Sequence, residues 1–109
     1  MESLADRKCK PCEEGGSPLP EEQSMELLLE LNGGWKLIDN HHLSKTFAFP
    51  EFKDAVSWVN KVADLAERVN HHPNIEIDYN KVRLSIWTHK LDGLSEADFV
   101  LAAKTDVVK

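Results

Sequence analysis

The clearest hydrophobic pattern in the chain lies between residues 50 and 72. Apolar side chains recur there every three or four residues, which is the spacing of one helix face: Phe52, Ala55, Val56, Val59, Val62, Ala63, Ala66 and Val69. Pro73 disfavours helical backbone at the residue before it, so this helix must end at or before His72. The pattern predicts a long amphipathic helix.

Two pairs of short β-prone segments flank that helix. Before it, residues 35–39 and 43–49 are separated by the polar Asn40, His41 and His42, which predicts a hairpin. After it, apolar and polar residues alternate over residues 75–79 and 82–89, with a tight turn predicted at Asn80-Lys81. Because every second position of this later pair is apolar, one of its faces is predicted to be buried.

Two shorter helices complete the predicted set. Residues 21–31 are rich in leucine, follow a proline and end at Asn-Gly-Gly. Ser95 and Asp98 form a capping box, flanked by Leu94 and Phe99 as its hydrophobic staple, ahead of a C-terminal helix. The order α-β-β-α-β-β-α leaves no room for parallel crossovers. We therefore expect an α+β fold: a four-stranded antiparallel sheet with three helices on one face.

Composition and charge narrow the class of protein. Of 109 residues, 41% are hydrophobic and 29% are charged, as in a single globular domain. The polar residues 1–19 are expected to be a flexible tail, and residues 20–109 the folded domain. A net charge of −6 argues against nucleic acid as a direct ligand. No apolar run approaches the roughly 20 residues of a membrane span, and no signal peptide is evident, so a cytoplasmic protein is expected.

The only two cysteines, Cys9 and Cys12, lie in the polar tail as one Cys-x-x-Cys pair. A structural zinc site needs four ligands, of which this pair supplies half. We expect reduced thiols without a chemical role. Thiol or metal chemistry at the pair is the alternative, and it predicts stoichiometric zinc on the purified protein.

The candidate chemistry lies where the long helix ends. Glu67 and His71 are four residues apart, so the carboxylate is expected to orient that imidazole. The helix C-terminus favours a charged His71, whereas Pro73 forces His72 in another direction. His89, expected at the end of the last strand, joins them if the fold brings the two ends together. Three histidines in unlike electrostatic settings suit acid–base catalysis near neutral pH.

Structural roles compete with this interpretation. A His-His-Pro after a helix is more often a polar helix terminus, and Asp98 has an equally good role in the capping box. No metal is expected, because the chain has no His-x-x-x-His or His-Glu-x-x-His pair. His41 and His42 are interpreted as solvated surface of a hairpin turn. Trp35, beside Gly34, is the tryptophan expected to form a pocket wall.

Four motifs then follow one another at fixed intervals: Glu67-Arg-Val-Asn-His-His-Pro73, Tyr79-Asn80-Lys81-Val82, Ser85-x-x-Thr88-His89 and Gly93-Leu94-Ser95-Glu96-x-x-Asp98. Together with two earlier motifs, Gly34-Trp35 and Phe47-x-Phe49-x-x-Phe52, they resemble the pterin-4a-carbinolamine dehydratase family. The resemblance extends from about residue 20 to the C-terminus. Only the tail with its two cysteines falls outside it.

The resemblance implies the same α+β fold and a definite reaction. A family member removes water from a 4a-hydroxytetrahydropterin to give quinonoid dihydropterin, with no metal or cofactor. The catalytic residues implied by the family's motif are His71, His72 and His89, with Glu67 and Asp98 as supporting carboxylates. The implied substrate contacts are His71, His72, Pro73, Thr88, His89, Lys90 and Leu91, to which we add Trp35 from the argument above.

The resemblance also implies a setting. We expect a homodimer or homotetramer that acts in tetrahydrobiopterin recycling beside an aromatic amino acid hydroxylase. Asn70 stands where animal members often have aspartate, so a carboxylate that would tune the pKa of the neighbouring histidines is missing. The alternative function, of a different class, is a non-catalytic dimerisation or interaction module with the same fold.

Overall fold

The computed structural model describes residues 18–31 and 33–108. Its elements are α1 (Glu21–Leu29), β1 (Lys36–Ile38), β2 (His42–Ala48), α2 (Phe52–Val69), β3 (Asn74–Asp78), β4 (Lys81–Ile86), a 3₁₀ turn (His89–Leu91) and α3 (Glu96–Asp106). The predicted order and the α+β class are confirmed. The expected tail, with Cys9 and Cys12, lies almost entirely outside the described residues, and the boundary at residue 20 stays a prediction.

The four strands form one antiparallel sheet in the order β1-β2-β4-β3. The register places Leu43 opposite Ile86, and Leu84 opposite Ile75 of the outer strand. Leu43, Leu84 and Ile86 are fully buried, whereas Arg83, between two buried residues of β4, is exposed. One face of the sheet therefore carries the core, and the helices cover that face, as the alternation predicts.

The helix α2 ends where the proline requires and buries only part of its predicted stripe, since Phe52 and Ala63 are exposed. Its buried positions are Ala55, Trp58, Val62, Leu65 and Ala66. Asn70 follows in the left-handed conformation, with φ of 54°, and the amides of Asn70 and His71 both bond the carbonyl of Ala66. Asparagine tolerates this conformation better than most residues, so Asn70 serves as the C-terminal cap. Within the described residues, no helix is both long and apolar enough to span a bilayer.

Both hairpin turns lie one residue earlier in the chain than predicted. The first is formed by Asp39 and Asn40, with φ of 52° and 51°, and the second contains Tyr79 with φ of 54°. Left-handed backbone at residues other than glycine leaves little trace in sequence, which explains the shift. The last strand also ends early, at Ile86, because Thr88 bridges to Gly93 and the chain turns between them.

Candidate active site

Asp98, fully buried in the first turn of α3, is the centre of the candidate site. Its Oδ2 accepts hydrogen bonds from the Ser95 amide and the Thr88 hydroxyl, each at 2.8 Å. Its Oδ1 lies 2.5 Å from Nε2 of His71. The capping role and the catalytic role considered for this residue are therefore compatible, since each uses a different carboxylate oxygen.

Three parts of the fold meet at this carboxylate: the end of α2, the segment after β4 and the start of α3. The loop between β4 and α3 is closed by hydrogen bonds between the backbones of Thr88 and Gly93, and the Thr88 and Ser95 hydroxyls lie 2.9 Å apart. A Cβ on Gly93 would stand only 2.7 Å from Pro18, so glycine lets the N-terminal segment cross the loop. The loop that carries Thr88 is therefore restrained both by its own hydrogen bonds and by the N-terminal segment that crosses it.

The electrostatics of the His71–Asp98 pair follow from the two helix ends. His71 lies just beyond the C-terminus of α2, where positive charge is favoured, and Asp98 lies in the first turn of α3, where negative charge is favoured. When His71 is neutral, donation from Nε2 to the carboxylate leaves the lone pair on Nδ1. Asp98 therefore orients the ring and determines which nitrogen is available to accept a proton.

The carboxylate that orients His71 is not the one expected from the helical spacing. Glu67 pairs instead with His72, its Oε1 lying 3.4 Å from Nε2, and both side chains are largely exposed (79% and 55%). The left-handed Asn70 changes the chain direction, so His71 leaves the face predicted by four-residue spacing and meets α3. The prediction that Glu67 orients His71 is wrong, although Glu67 does contact the adjacent His72.

His89 opens the 3₁₀ turn and belongs to the same region through its neighbour Thr88. Its ring stacks on Trp87 with centroids 4.5 Å apart and planes 3° apart. Pro73 and Leu91 are half-buried, and Lys90 is exposed. Asp98 thus joins the His71-His72-Pro73 segment to the segment that begins at Thr88. No group of three metal-ligating side chains is arranged around a common point in residues 18–31 and 33–108.

The interpretation of His41 and His42 as solvated surface is wrong, because both are half-buried members of an aromatic cluster. Nε2 of His41 lies 2.8 Å from Oδ1 of Asp92, and both imidazoles contact Trp87. Burial lowers the pKa of His42 below its ordinary value of 6.5, and the proximity of His41 lowers it further. Sequence reasoning missed this cluster because Asp92 is 51 residues further along the chain.

Trp35 lies in the core rather than beside the histidines. It is 7% exposed, and its indole nitrogen donates to Oδ2 of Asp106 at 2.8 Å. Asp106 ends α3, eight residues after Asp98, which corresponds to ~12 Å along the helix axis. The structure therefore does not bring Trp35 to the site, and its expected contact with substrate has no support in the geometry.

Comparison with known proteins gives a consistent match over nearly the whole chain. The family model "Pterin 4 alpha carbinolamine dehydratase" matches residues 17–108. A protein of Alkaliphilus metalliredigens is 44% identical over 106 residues, covering 97% of this chain and 96% of its own. One of Rickettsia bellii is 45% identical over 107 residues, covering 98% and 95%. Both are named "Putative pterin-4-alpha-carbinolamine dehydratase".

Solved structures share the fold. A transcriptional coactivator/pterin dehydratase from Brucella melitensis superposes with a TM-score of 0.78 at 30% identity, over 84% of this chain and 98% of its own. A pterin dehydratase-like protein identified as a RuBisCO assembly factor in the alpha-carboxysome superposes with a TM-score of 0.61 at 25% identity, over 71% and 90%. The resemblance seen in the four sequence motifs is thereby confirmed, and the chain belongs to the pterin-4a-carbinolamine dehydratase family.

Proposed function

We propose that this protein dehydrates a 4a-hydroxytetrahydropterin. In this reaction the bond from C4a to its hydroxyl oxygen breaks, a proton is added to the leaving oxygen, and a proton leaves the neighbouring ring nitrogen. The products are quinonoid dihydropterin and water. The observation that carries the proposal is the buried contact of His71 with Asp98, which gives an acid–base residue a fixed orientation beside the Thr88 segment.

The contacts of the two adjacent histidines support different roles for them. His71 is oriented by a buried carboxylate through Nε2, which leaves Nδ1 to accept the proton from the ring nitrogen. His72 is exposed, with Nε2 3.4 Å from Oε1 of Glu67, and we assign it as the donor to the leaving hydroxyl. His89, at the start of the 3₁₀ turn, contributes the third imidazole. No step requires a metal or a redox cofactor.

The test is stopped-flow loss of 4a-carbinolamine absorbance, with the substrate formed in situ by a hydroxylase. Wild type should accelerate the decay, and His71→Ala or His72→Ala should lose about 10²-fold or more in rate. Arg68→Gln is the matched control, because it changes an exposed charge in the last turn of the same helix. It should retain the wild-type rate. Full activity of both histidine variants would refute the assignment.

A non-catalytic interaction module is the second candidate. It is favoured by one observation: two proteins with this fold are described as a transcriptional coactivator/pterin dehydratase and as a RuBisCO assembly factor. Activity and complex formation together distinguish the two candidate functions. A wild-type protein without dehydratase activity, together with a stable macromolecular complex that survives replacement of His71, His72 and His89, would favour the interaction module.

The same proposal includes a cellular setting. We place the protein in the cytoplasm as a homodimer or homotetramer, with an aromatic amino acid hydroxylase supplying the carbinolamine during tetrahydrobiopterin recycling. In the described part of the chain, β1 and β3 are the outer strands of the sheet, and Ile77 and Tyr79 near β3 are exposed. Such edges are natural surfaces for self-association. Light scattering after gel filtration tests this, and a monomer at micromolar concentration would contradict it.

A further inference from the structure

We propose that His41 is a positioning residue for His89, acting from the β1–β2 turn through Trp87 and Asp92. The inference rests on the proposed function only for its kinetic consequence. Its structural part concerns a second group of rings, separate from the contact between His71 and Asp98. His41 is on no catalytic motif of the chain, and the turn that carries it was expected to be solvent-exposed.

The β1–β2 turn brings the imidazoles of His41 and His42 into contact. Asp39 and Asn40 both have left-handed backbone, and the His41 amide bonds the carbonyl of Ile38 at 2.8 Å, so the turn is tight. His41 and His42 follow at once, with their Nδ1 atoms 3.1 Å apart. The two rings therefore sit against each other at the end of the sheet where β4 also ends.

Trp87 connects these rings to His89. Its ring centroid lies 5.3 Å from that of His41 and 5.8 Å from that of His42, and His89 stacks on it at 4.5 Å with nearly parallel planes. Contacts between rings at these distances restrict the orientation of each ring. The turn thus packs against the ring that supports His89.

Asp92 connects His41 to the backbone on the other side of His89. Its carboxylate lies 2.8 Å from Nε2 of His41, and its amide donates to the His89 carbonyl at 3.1 Å. Asp92 itself has a left-handed φ of 50° and ends the 3₁₀ turn. Because this carboxylate is 91% exposed, the ion pair contributes little to stability. The ion pair instead restrains the position of the 3₁₀ turn that carries His89.

The contact between the two imidazoles depends on their protonation. It needs one hydrogen between the two Nδ1 atoms, and two charged rings would place donor against donor. Asp92 faces His41, and Asp39, Arg83 and His41 act electrostatically on His42. Burial and the neighbouring His41 both lower the pKa of His42. The contact between the two rings is therefore the one made when no more than one of them is charged.

The structural test uses proton NMR of the histidine rings, with His89 signals assigned from a His89→Gln variant. Stacking on Trp87 should shift the His89 ring protons upfield in wild type. His41→Phe keeps a ring but loses both hydrogen bonds, and Asp92→Gly keeps left-handed backbone but loses the acceptor. Both should reduce the shift toward that of an unstacked histidine. Asp92→Asn keeps a neutral acceptor and should retain most of the upfield shift of the His89 ring protons.

The kinetic test uses the same variants with the carbinolamine assay. His41→Phe and Asp92→Gly should lower kcat by about tenfold, within the roughly 10²-fold effect of a 1 Å misplacement, with little change in KM. Lys53→Gln, which removes an exposed ion pair with Glu51 at the start of α2, is the control and should match wild type in both assays. An unchanged His89 shift in His41→Phe and Asp92→Gly overturns the inference, whatever the activity. A wild type that shows the shift but no turnover refutes the dehydratase and leaves the positioning role standing.

Discussion

Asp98 combines two roles that are separable by substitution. In Asp98→Asn, the amide oxygen still accepts from Ser95 and Thr88, but the amide nitrogen faces His71 and forces Nε2 to become an acceptor. We expect unfolding free energy to fall by about 1 kcal/mol, the usual value of a cap. Turnover should fall about 10²-fold because the imidazole takes the wrong tautomer. Urea unfolding and stopped-flow rates measure the two effects.

Ser95→Ala is the matched variant for that prediction. It removes the hydroxyl of the same capping box, which costs about 1 kcal/mol, but leaves Asp98 in contact with His71. Its turnover should stay near wild type. Asp98→Ala, which leaves the buried Thr88 hydroxyl and the Ser95 amide without this acceptor, should cost about 2–3 kcal/mol. Equal turnover in Ser95→Ala and Asp98→Asn would show that the carboxylate acts on the fold alone.

His42 makes stability depend on pH with a definite sign. Its pKa is below 6.5 in the folded protein, mainly through burial, so the unfolded chain binds the proton first as pH falls. The stabilisation is present above pH 6.5 and is lost as pH falls from there through the lowered folded-state pKa. From about pH 7.5 to about pH 5.5, wild type should therefore lose more unfolding free energy than His42→Gln.

Urea unfolding at both pH values measures this difference, and His72→Gln is the control because His72 is largely exposed. The unfolding free energy of His72→Gln should change with pH as that of wild type does. If His42→Gln and wild type lose the same stability on acidification, the burial of His42 has no energetic effect.

At the scale of elements, the end of α2 determines where the histidines point. Asn70 has φ of 54°, a conformation that costs most L-residues roughly 1–2 kcal/mol. Asn70→Ala should therefore lower the unfolding free energy by about 1 kcal/mol, whereas Asn70→Gly should be neutral or stabilising, because glycine has no Cβ to strain. Denaturant midpoints compare the two. A similar loss in both variants would show that the left-handed cap is not what they disturb.

The elements themselves were predictable where a periodic pattern spans many residues. The apolar stripe of α2, the alternation in β4 and the capping box at Ser95 each repeat a local rule that the fold obeys. The turns were predicted one residue too late because Asp39 and Tyr79 adopt left-handed backbone, which their residue types do not indicate. Elements that depend on single dihedral angles were therefore placed less accurately than those that depend on periodicity.

The motif names candidate site residues but not the contacts between them. It includes both His71 and Asp98, which the structure brings into contact, whereas helical spacing assigns Glu67 to the wrong imidazole. A helical rule holds only while the helix continues, and this helix ends at Asn70. The cluster of His41 with Asp92 was missed for a related reason. Its members are joined only by the tertiary fold, through a contact that local sequence does not encode.

For the whole molecule, a buried polar contact holds the far end of α3 against the sheet. Lys45 on β2 lies 2.7 Å from Oδ1 of Asp106, whose other oxygen accepts from Trp35. The ammonium also lies over the ring of Phe47 at 4.8 Å, in cation–π geometry. The exposed fractions are 16% for Lys45 and 3% for Asp106. The same helix therefore carries the site at its first turn and this anchor at its last.

This separation predicts that the anchor affects stability without affecting the chemistry. Lys45→Met should cost about 3–5 kcal/mol, because it leaves the buried carboxylate of Asp106 paired only with an indole N–H. Adding Asp106→Asn should recover part of that loss, since the double variant leaves no unpaired charge in the core and keeps an amide oxygen as acceptor for Trp35. Lys53→Met, at an exposed pair, is the control and should change stability by less than about 1 kcal/mol. Turnover per folded molecule should stay near wild type in all three, because Asp98 lies ~12 Å away along α3. A fall in turnover that matches the loss of stability would instead show that the sheet anchor and the histidine site form one coupled unit.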